Sequence, residues 1–275
     1  MYTQAKSSND SKPVTLRDLA RMKAEKAKIA CLTAYDASFA ALVDEAGIDL
    51  VLVGDSLGNV IQGHATTVPV TVDDIVYHTK LVARGLKRAF LVADMPFLSY
   101  ATPEAALANA GRLMQEGGAK MVKLEGNGSQ ADIVRYLADN GVPVCAHLGL
   151  RPQMVHKLGG FSVQGRKAKA AKQMVEDAKL LEKSGADLIL LELVPRELAA
   201  EITAAVEVPV IGIGAGPKVD GQILVLYDML DITPGRKPKF AKNFMEGAGS
   251  VAEGIAAYVK AVKNKSYPAA EHSFD

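Results

Sequence analysis

Short, nearly continuous apolar runs alternate along this chain with longer stretches whose apolar residues recur every three or four positions. The short runs predict strands at residues 29–34, 49–54, 89–94, 119–125, 143–147, 187–192 and 208–213. Runs that are apolar throughout are typical of parallel strands that are covered on both faces. The longer stretches predict helices near 36–46, 72–85, 103–116, 129–139, 168–184 and 196–206. This alternation favours an α/β fold with a parallel sheet.

One sequence pattern occurs three times, at residues 47–55, 118–125 and 185–192. Each copy begins with a Gly suited to end a helix, continues as a buried strand and ends in a carboxylate. With a weaker eighth strand at 223–230, the chain has enough strands for a closed (β/α)8 TIM barrel. A doubly wound open sheet is the alternative fold.

The predicted barrel is a single domain at residues 14–263, flanked by two short end segments. Residues 1–13 are polar and predict a flexible arm. We expect Thr15 to cap a helix that packs under the barrel, and residues 264–275 to be a frayed tail. The segment 150–167 is long for a loop in a compact domain, which favours a functional or mobile role.

Composition excludes several classes of function. The chain has 32 Lys and Arg against 31 Asp and Glu, so its net charge is +1. That balance gives no basic footprint for nucleic acid or an anionic membrane. We find no apolar run that could span a bilayer and no secretory signal. Cys31 and Cys145 lie in apolar runs, so we expect reduced, buried thiols and a cytoplasmic protein.

Polar residues recur where the predicted strands end. They are Asp55 and Ser56 after the second strand, Asp94 after the third, Lys123 and Glu125 on the fourth, His147 on the fifth and Glu192 on the sixth. In a (β/α)8 barrel these ends meet at one mouth, where catalytic residues lie. Three carboxylates from neighbouring strands would repel one another without a cation, and a hard ion such as Mg²⁺ suits their oxygens.

Singly, these residues also have structural interpretations: a cap or turn for Asp55 and Asp94, a solvated loop acid for Glu125, a neutralised core lysine for Lys123, a satisfied imidazole for His147 and a helix-start acid for Glu192. Their recurrence at strand after strand favours a shared function. The segment Gly212–Gly216 is similar to a phosphate-binding loop but lacks the Lys-Ser/Thr that would follow, and its glycines could equally allow close backbone packing.

Longer motifs resemble a known family. They are Gly54–Gly58, Gly63–Thr71, Asp94–Phe97, Val122–Gly126, Ala146–Gln153, Gly159–Gly165, Leu191–Pro195 and Gly212–Gly216. Together they closely resemble the ketopantoate hydroxymethyltransferase family over about residues 14–263. The resemblance implies a barrel of the phosphoenolpyruvate/pyruvate superfamily type, Mg²⁺, 5,10-methylenetetrahydrofolate as co-substrate, and a large homo-oligomer, typically a decamer.

The family pattern also implies roles for the strand-end residues. Asp55 and Asp94 would be direct metal ligands through which the α-keto acid 3-methyl-2-oxobutanoate is bound, and Glu125 would act on the metal mainly through water. Ser56, Lys123 and His147 would contact the keto acid. Glu192 would be the general base, since it is the strand-end acid that the metal does not need. We expect the apolar strand around Glu192 to raise its pKa.

Three other functions were weighed against this one. A related C–C lyase or phosphonomutase would use a similar Mg²⁺ and keto acid site, but residues 150–167 lack the Cys-bearing loop we associate with those enzymes. A phosphate-binding barrel enzyme would depend on Gly212–Gly216 rather than on three carboxylates. A non-enzymatic assembly protein would tolerate loss of the strand-end acids, and none is lost here.

Overall fold

The computed structural model describes residues 12–235 and 237–275. Its eight strands are Ile29–Thr33 (β1), Leu50–Val53 (β2), Phe90–Asp94 (β3), Met121–Glu125 (β4), Val144–Gly149 (β5), Leu188–Glu192 (β6), Val210–Ile213 (β7) and Gly221–Leu224 (β8). Its helices are Leu16–Ala24 (α1), Ala37–Glu45 (α2), Leu57–Val60 (α3), Val72–Gly85 (α4), Pro103–Gln115 (α5), Ala131–Asp139 (α6), Val155–Leu158 (α7), Ala168–Lys183 (α8), Arg196–Ala205 (α9), Leu226–Met229 (α10) and Val251–Lys263 (α11). None of these helices is long and apolar enough to cross a membrane.

The strands form a closed barrel in chain order, and β8 pairs with β1 in parallel. This confirms the (β/α)8 fold and excludes the open sheet. Nearly every strand residue is buried, because the helices cover the outside of the barrel while side chains fill its interior. The parallel arrangement brings the carboxyl ends of all eight strands to one mouth.

The eighth strand differs from the prediction of 223–230. It covers Gly221–Leu224, and the rest of that apolar run forms the short helix α10. A brief apolar run does not show by its periodicity whether it is strand or helix. The strand begins at Gly221 because a Cβ there would lie 2.5 Å from the Ile29 carbonyl oxygen, so the pairing with β1 needs a glycine.

Helix α1 closes the opposite end of the barrel, as the sequence predicts. Thr15 caps it and forms a capping box with Asp18. The ammonium group of Lys23 donates a hydrogen bond to the Val208 carbonyl at 2.9 Å and lies 3.1 Å from the Asp220 carboxylate. Both of these partners precede strands, which places α1 under the barrel. Of the predicted arm, residues 1–11 lie outside the described residues.

The prediction of a frayed tail at 264–275 is wrong, because two aromatic residues anchor this segment on the barrel. Tyr267 is 4% exposed, and its hydroxyl donates to the Phe240 carbonyl at 2.5 Å. The Phe274 carbonyl accepts a hydrogen bond from the Arg196 amide at 2.9 Å. The tail therefore packs across the mouth of the barrel beside the start of α9.

Candidate active site

The polar strand-end residues line one cavity of about 830 Å³ at the mouth of the barrel. The residues from the sequence prediction that face it are Asp55, Ser56, Asp94, Lys123, Glu125, His147 and Glu192. Its other walls include the apolar side chains of Ile213, Ile223, Phe240 and Phe274. A cavity of this size and mixed lining suits a small organic ligand with a few polar anchors.

Strand register sets the first contact in the cavity. Asp94 on β3 lies beside Lys123 on β4, and side chains at paired positions of parallel strands point the same way. The Lys123 ammonium therefore donates to both carboxylate oxygens of Asp94, at 2.7 and 2.8 Å. Burial alone would lower the pKa of Lys123, but the charges of Asp94, Glu125 and Asp55 raise it above its usual value. Lys123 is a buried, permanent cation.

Asp55 and Asp94 lie side by side. Both carboxylates are buried, and the Asp55 amide donates to Asp94 Oδ2 at 3.2 Å. Burial, and then the negative charge of Asp94, raise the pKa of Asp55 to about 7. The next residue, Ser56, has its hydroxyl 2.9 Å from the hydroxyl of Tyr35. This arrangement stores electrostatic repulsion that a cation in the cavity would relieve.

His147 lies between two acids. Its Nδ1 is 3.7 Å from Glu125 Oε1, and its Nε2 is 3.4 Å from Glu192 Oε2. Neither ring nitrogen has a hydrogen-bond partner among the described residues. Burial, and then the positive charge of Lys123, hold the pKa of His147 well below its usual range, so the ring is neutral. Burial raises the pKa of Glu192 to about 8, the direction expected from its apolar strand.

The backbone around Glu192 is tightly constrained. Its carbonyl accepts a hydrogen bond from the Leu150 amide at 2.8 Å. Gly149, with φ +93°, passes so close that a Cβ there would lie 2.2 Å from the Glu192 carbonyl oxygen. Leu193 follows at φ 48°, a left-handed conformation that costs energy for a branched side chain. Such local strain is common at functional sites, and here it constrains the backbone from which the Glu192 side chain extends.

The sequence analysis missed one residue of the site, Gln153. It lies in the 150–167 loop, is 3% exposed, and its side-chain amide donates to Asp55 Oδ2 at 2.9 Å. Its backbone amide donates to Glu125 Oε2 at 3.1 Å. A neutral Gln carries no charge that would mark it in a sequence. The only available signal was its place at the end of the motif Ala146–Gln153.

The acids that line the cavity are candidate ligands for a magnesium ion. When ionised, Asp55, Asp94 and Glu125 outnumber the Lys123 ammonium, and Glu125 Oε1 is buried without a hydrogen-bond partner in the part of the chain that the structure describes. The same part contains no group of three His, Cys, Asp or Glu side chains that could jointly hold an ion. Mg²⁺ commonly takes one or two carboxylates and fills its other positions with water and substrate oxygens. The residues fit Mg²⁺ with two direct carboxylates, not three.

The segment Gly212–Gly216 packs closely against its neighbours. A Cβ at Gly214 would lie 2.9 Å from the Phe240 ring, and one at Gly216 would lie 2.5 Å from the Arg196 Cβ. These contacts favour the close-packing interpretation of the glycines over a phosphate-binding loop.

A comparison with known protein families distinguishes between the remaining hypotheses about function. The family model described as ketopantoate hydroxymethyltransferase matches residues 13–270. The chain belongs to the ketopantoate hydroxymethyltransferase family. Membership makes it an enzyme of the transferase class, which excludes a non-enzymatic assembly protein.

Similar proteins of this family cover nearly the whole chain. A 3-methyl-2-oxobutanoate hydroxymethyltransferase of Alkalilimnicola ehrlichii is 60% identical over 96% of this chain and 95% of its own length. One of Methylococcus capsulatus is 57% identical over 95% of this chain and 97% of its own length.

Solved structures with the same fold come from a wider group. A putative phosphonomutase from Burkholderia cenocepacia has a TM-score of 0.61 at 14% identity, over 79% of this chain and 95% of that one. A 2,3-dimethylmalate lyase of the PEP mutase/isocitrate lyase superfamily has a TM-score of 0.57 at 16% identity, over 76% of this chain and 80% of that one. At these identities the likeness shows the fold alone. The chain thus shares its (β/α)8 barrel fold with these proteins.

Proposed function

We propose that this enzyme transfers a hydroxymethyl group from 5,10-methylenetetrahydrofolate to 3-methyl-2-oxobutanoate and forms ketopantoate, in pantothenate and coenzyme A biosynthesis. The observation that carries the proposal is that one cavity holds both an acid with a raised pKa and a buried ion pair. The acid, Glu192, is suited to act as a base, and the ion pair of Lys123 with Asp94 supplies a fixed cation for an anionic substrate. The relatives from Alkalilimnicola ehrlichii and Methylococcus capsulatus, which are named 3-methyl-2-oxobutanoate hydroxymethyltransferases, support the same keto acid.

The proposal includes a resident Mg²⁺ ion. Asp55 and Asp94 would hold it directly, and Glu125 would act on it mainly through water. When bound, the ion acts as a Lewis acid on the keto acid, which makes the C3–H bond more acidic.

Three side chains bind and orient the keto acid in this proposal. Ser56 donates its hydroxyl to the substrate carboxylate. The ammonium of Lys123 lies beside Asp94 and offsets the negative charge that develops on the substrate oxygen as the enolate forms. Neutral His147 carries a proton on one of its two ring nitrogens. That nitrogen donates a hydrogen bond to the keto acid.

Glu192 removes the C3 proton. Its raised pKa, about 8, makes it a stronger base than an ordinary carboxylate, and a base with a pKa near the working pH is efficient in general catalysis. The resulting enolate forms the new C–C bond with the one-carbon unit of the folate. One C–N bond between this carbon and the folate breaks as the C–C bond forms, and water breaks the second C–N bond and supplies the hydroxyl group. The proton taken up by Glu192 and one proton of the water go to the two folate nitrogens, which releases tetrahydrofolate.

The proposed setting is a cytoplasmic homo-oligomer of ten subunits. The support is the family pattern of two pentameric rings together with the near-neutral charge and reduced thiols of the chain. Native mass spectrometry of the purified protein measures the number of subunits directly.

The decisive test has two parts. The wild type, incubated with Mg²⁺, 3-methyl-2-oxobutanoate and 5,10-methylenetetrahydrofolate, is expected to form ketopantoate, and a lack of product rejects the proposal. Glu192→Gln is expected to stop exchange of the substrate C3 proton with D₂O, followed by NMR, while keto acid binding persists. Glu201→Gln, on the exposed side of α9, is the control that should exchange normally. Normal exchange in Glu192→Gln would remove Glu192 from the role of base.

A further inference from the structure

Gln153 makes four hydrogen bonds at the base of the 150–167 loop. Its side-chain NH₂ group donates to Asp55 Oδ2 at 2.9 Å and to the Met95 carbonyl at 3.0 Å. Its side-chain oxygen accepts from the Tyr100 hydroxyl at 2.6 Å, and its backbone amide donates to Glu125 Oε2. One neutral residue thus holds two of the three acids from which the cation site is built.

The Asp55 carboxylate and the Met95 carbonyl fix the orientation of this amide, and Tyr100 stabilises it. The hydroxyl of buried Tyr100 points its proton at Gln153 Oε1, and burial raises the pKa of Tyr100, so the group remains a donor. If the amide turned over, its NH₂ group would face that hydroxyl and its oxygen would face the Asp55 carboxylate. That arrangement would set the amide oxygen against two groups that only accept, the Asp55 carboxylate and the Met95 carbonyl, so these two acceptors keep the NH₂ group on Asp55. The Tyr100 hydroxyl stabilises this orientation by donating to the amide oxygen.

Gln153 contacts one carboxylate oxygen of each of these two acids and not the other. Gln153 occupies Asp55 Oδ2 and Glu125 Oε2, while Glu125 Oε1, on the His147 side, has no partner among the described residues. Hydrogen bonds of this kind orient metal-binding carboxylates, and loss of such a partner commonly weakens metal binding by about 10–100-fold.

We propose that Gln153 is a positioning residue for the cation and keto acid site. It sets the directions of the Asp55 and Glu125 carboxylates, and Tyr100 stabilises the orientation of Gln153. The inference rests on the proposed function, because that proposal supplies the Mg²⁺ ion. It adds that the start of the 150–167 loop helps to form the metal site.

Calorimetry with Mg²⁺ alone tests this role without any turnover. Gln153→Met keeps the length of the side chain and removes the amide, so we expect Mg²⁺ affinity to fall by about tenfold or more. Tyr100→Phe keeps the ring and removes only the hydroxyl, so a smaller loss in the same direction is expected. Gln164→Met is the matched control from the same loop. Among the described residues the Gln164 side chain bonds only to Ser162, so this variant should bind Mg²⁺ as the wild type does.

A purely structural anchor would give a different pattern. In that case Gln153→Met and Tyr100→Phe would lower the melting temperature and leave Mg²⁺ affinity unchanged, which would overturn the proposal. If Gln153→Met does not fold, the Tyr100→Phe titration decides. The steady-state check is the keto acid KM, which should rise more than kcat falls in Tyr100→Phe.

The two proposals fail in different ways. A wild type that binds Mg²⁺ and the keto acid but forms no ketopantoate would reject the proposed reaction and leave the role of Gln153 standing. An active wild type whose Gln153→Met variant binds Mg²⁺ normally would reject the role of Gln153 alone. A wild type that binds no Mg²⁺ would overturn both.

Discussion

At the scale of single residues, Gly149 allows the backbone of Glu192 to pack closely against β5. The glycine is at the end of β5, paired with Glu192 at the end of β6. Its φ of +93° and the short approach to the Glu192 carbonyl leave no room for a side chain. The position of the proposed base therefore depends on a residue with no chemical function of its own.

We expect Gly149→Ala to lower kcat strongly and to destabilise the fold by at least about 2 kcal/mol, since it adds both backbone strain and a steric clash. Chemical denaturation and steady-state kinetics measure the two effects. Gly141→Ala is the control, because Gly141 also has a positive φ, +79°, but no atom within 4 Å of the added Cβ. That variant should lose only about 1 kcal/mol and keep full activity. Equal activity losses in the two variants would contradict the argument.

The sequence predicted the polar residues of the site but not the residues that hold them in place. The strand-end residues from Asp55 to Glu192 could be gathered because strand ends in a parallel barrel share one mouth, and all of them line its cavity. Gln153 and Tyr35 could not be found, because their contacts join positions far apart in sequence through loops. Which oxygen of which acid is bound follows from packing, and the sequence does not show it.

At the scale of elements, the segment 264–275 differs most from expectation. It has no periodic apolar pattern, so the sequence suggests a loose end, yet Tyr267 and Phe274 each pack into the body of the protein. Isolated aromatic anchors leave no periodic signal. The barrel elements were easier to predict, because each repeat of helix, glycine and buried strand carries its own signal.

Hydrogen exchange can test how firmly this segment is held. The Arg196 amide donates to the Phe274 carbonyl, whereas the Ala199 amide donates to Pro195 within the same helix. We expect Phe274→Ala to speed exchange at Arg196 by at least about tenfold and to leave Ala199 protected, because only the first bond depends on the tail. Unchanged protection at Arg196 would show that the tail does not need its aromatic anchor.

At the scale of the whole molecule, the barrel gathers acids that would never meet in the unfolded chain. Burial raises the pKa values of Asp55, to about 7, and Glu192, to about 8, and raises that of Glu125 well above its usual value. The folded, metal-free protein thus holds protons that the unfolded chain releases near pH 4. Between about pH 4 and these raised pKa values, the free energy of unfolding falls as pH rises, since the folded state binds more protons than the unfolded chain.

We expect the unfolding free energy of the chelator-treated protein to fall between about pH 6.5 and pH 8. Below pH 6.5 the lowered pKa of His147 opposes the trend, because the unfolded chain then binds the extra proton. Glu192→Gln should remove up to about 1.4 kcal/mol per pH unit from the slope in this window, the effect of one proton. Urea titrations at several pH values measure it, and Glu201→Gln should keep the wild-type slope. Identical slopes in all three proteins would show that Glu192 is ionised throughout.

The packed tail also has a consequence for how the enzyme is made. Chains emerge from the ribosome with the N-terminal part first, so all eight strands are synthesised before Tyr267 and Phe274. The barrel can close around its carboxylates while the cavity still lacks the wall that Phe274 provides. A nascent chain would therefore hold an assembled but open site, and the pocket would be completed only once Phe274 has left the exit tunnel.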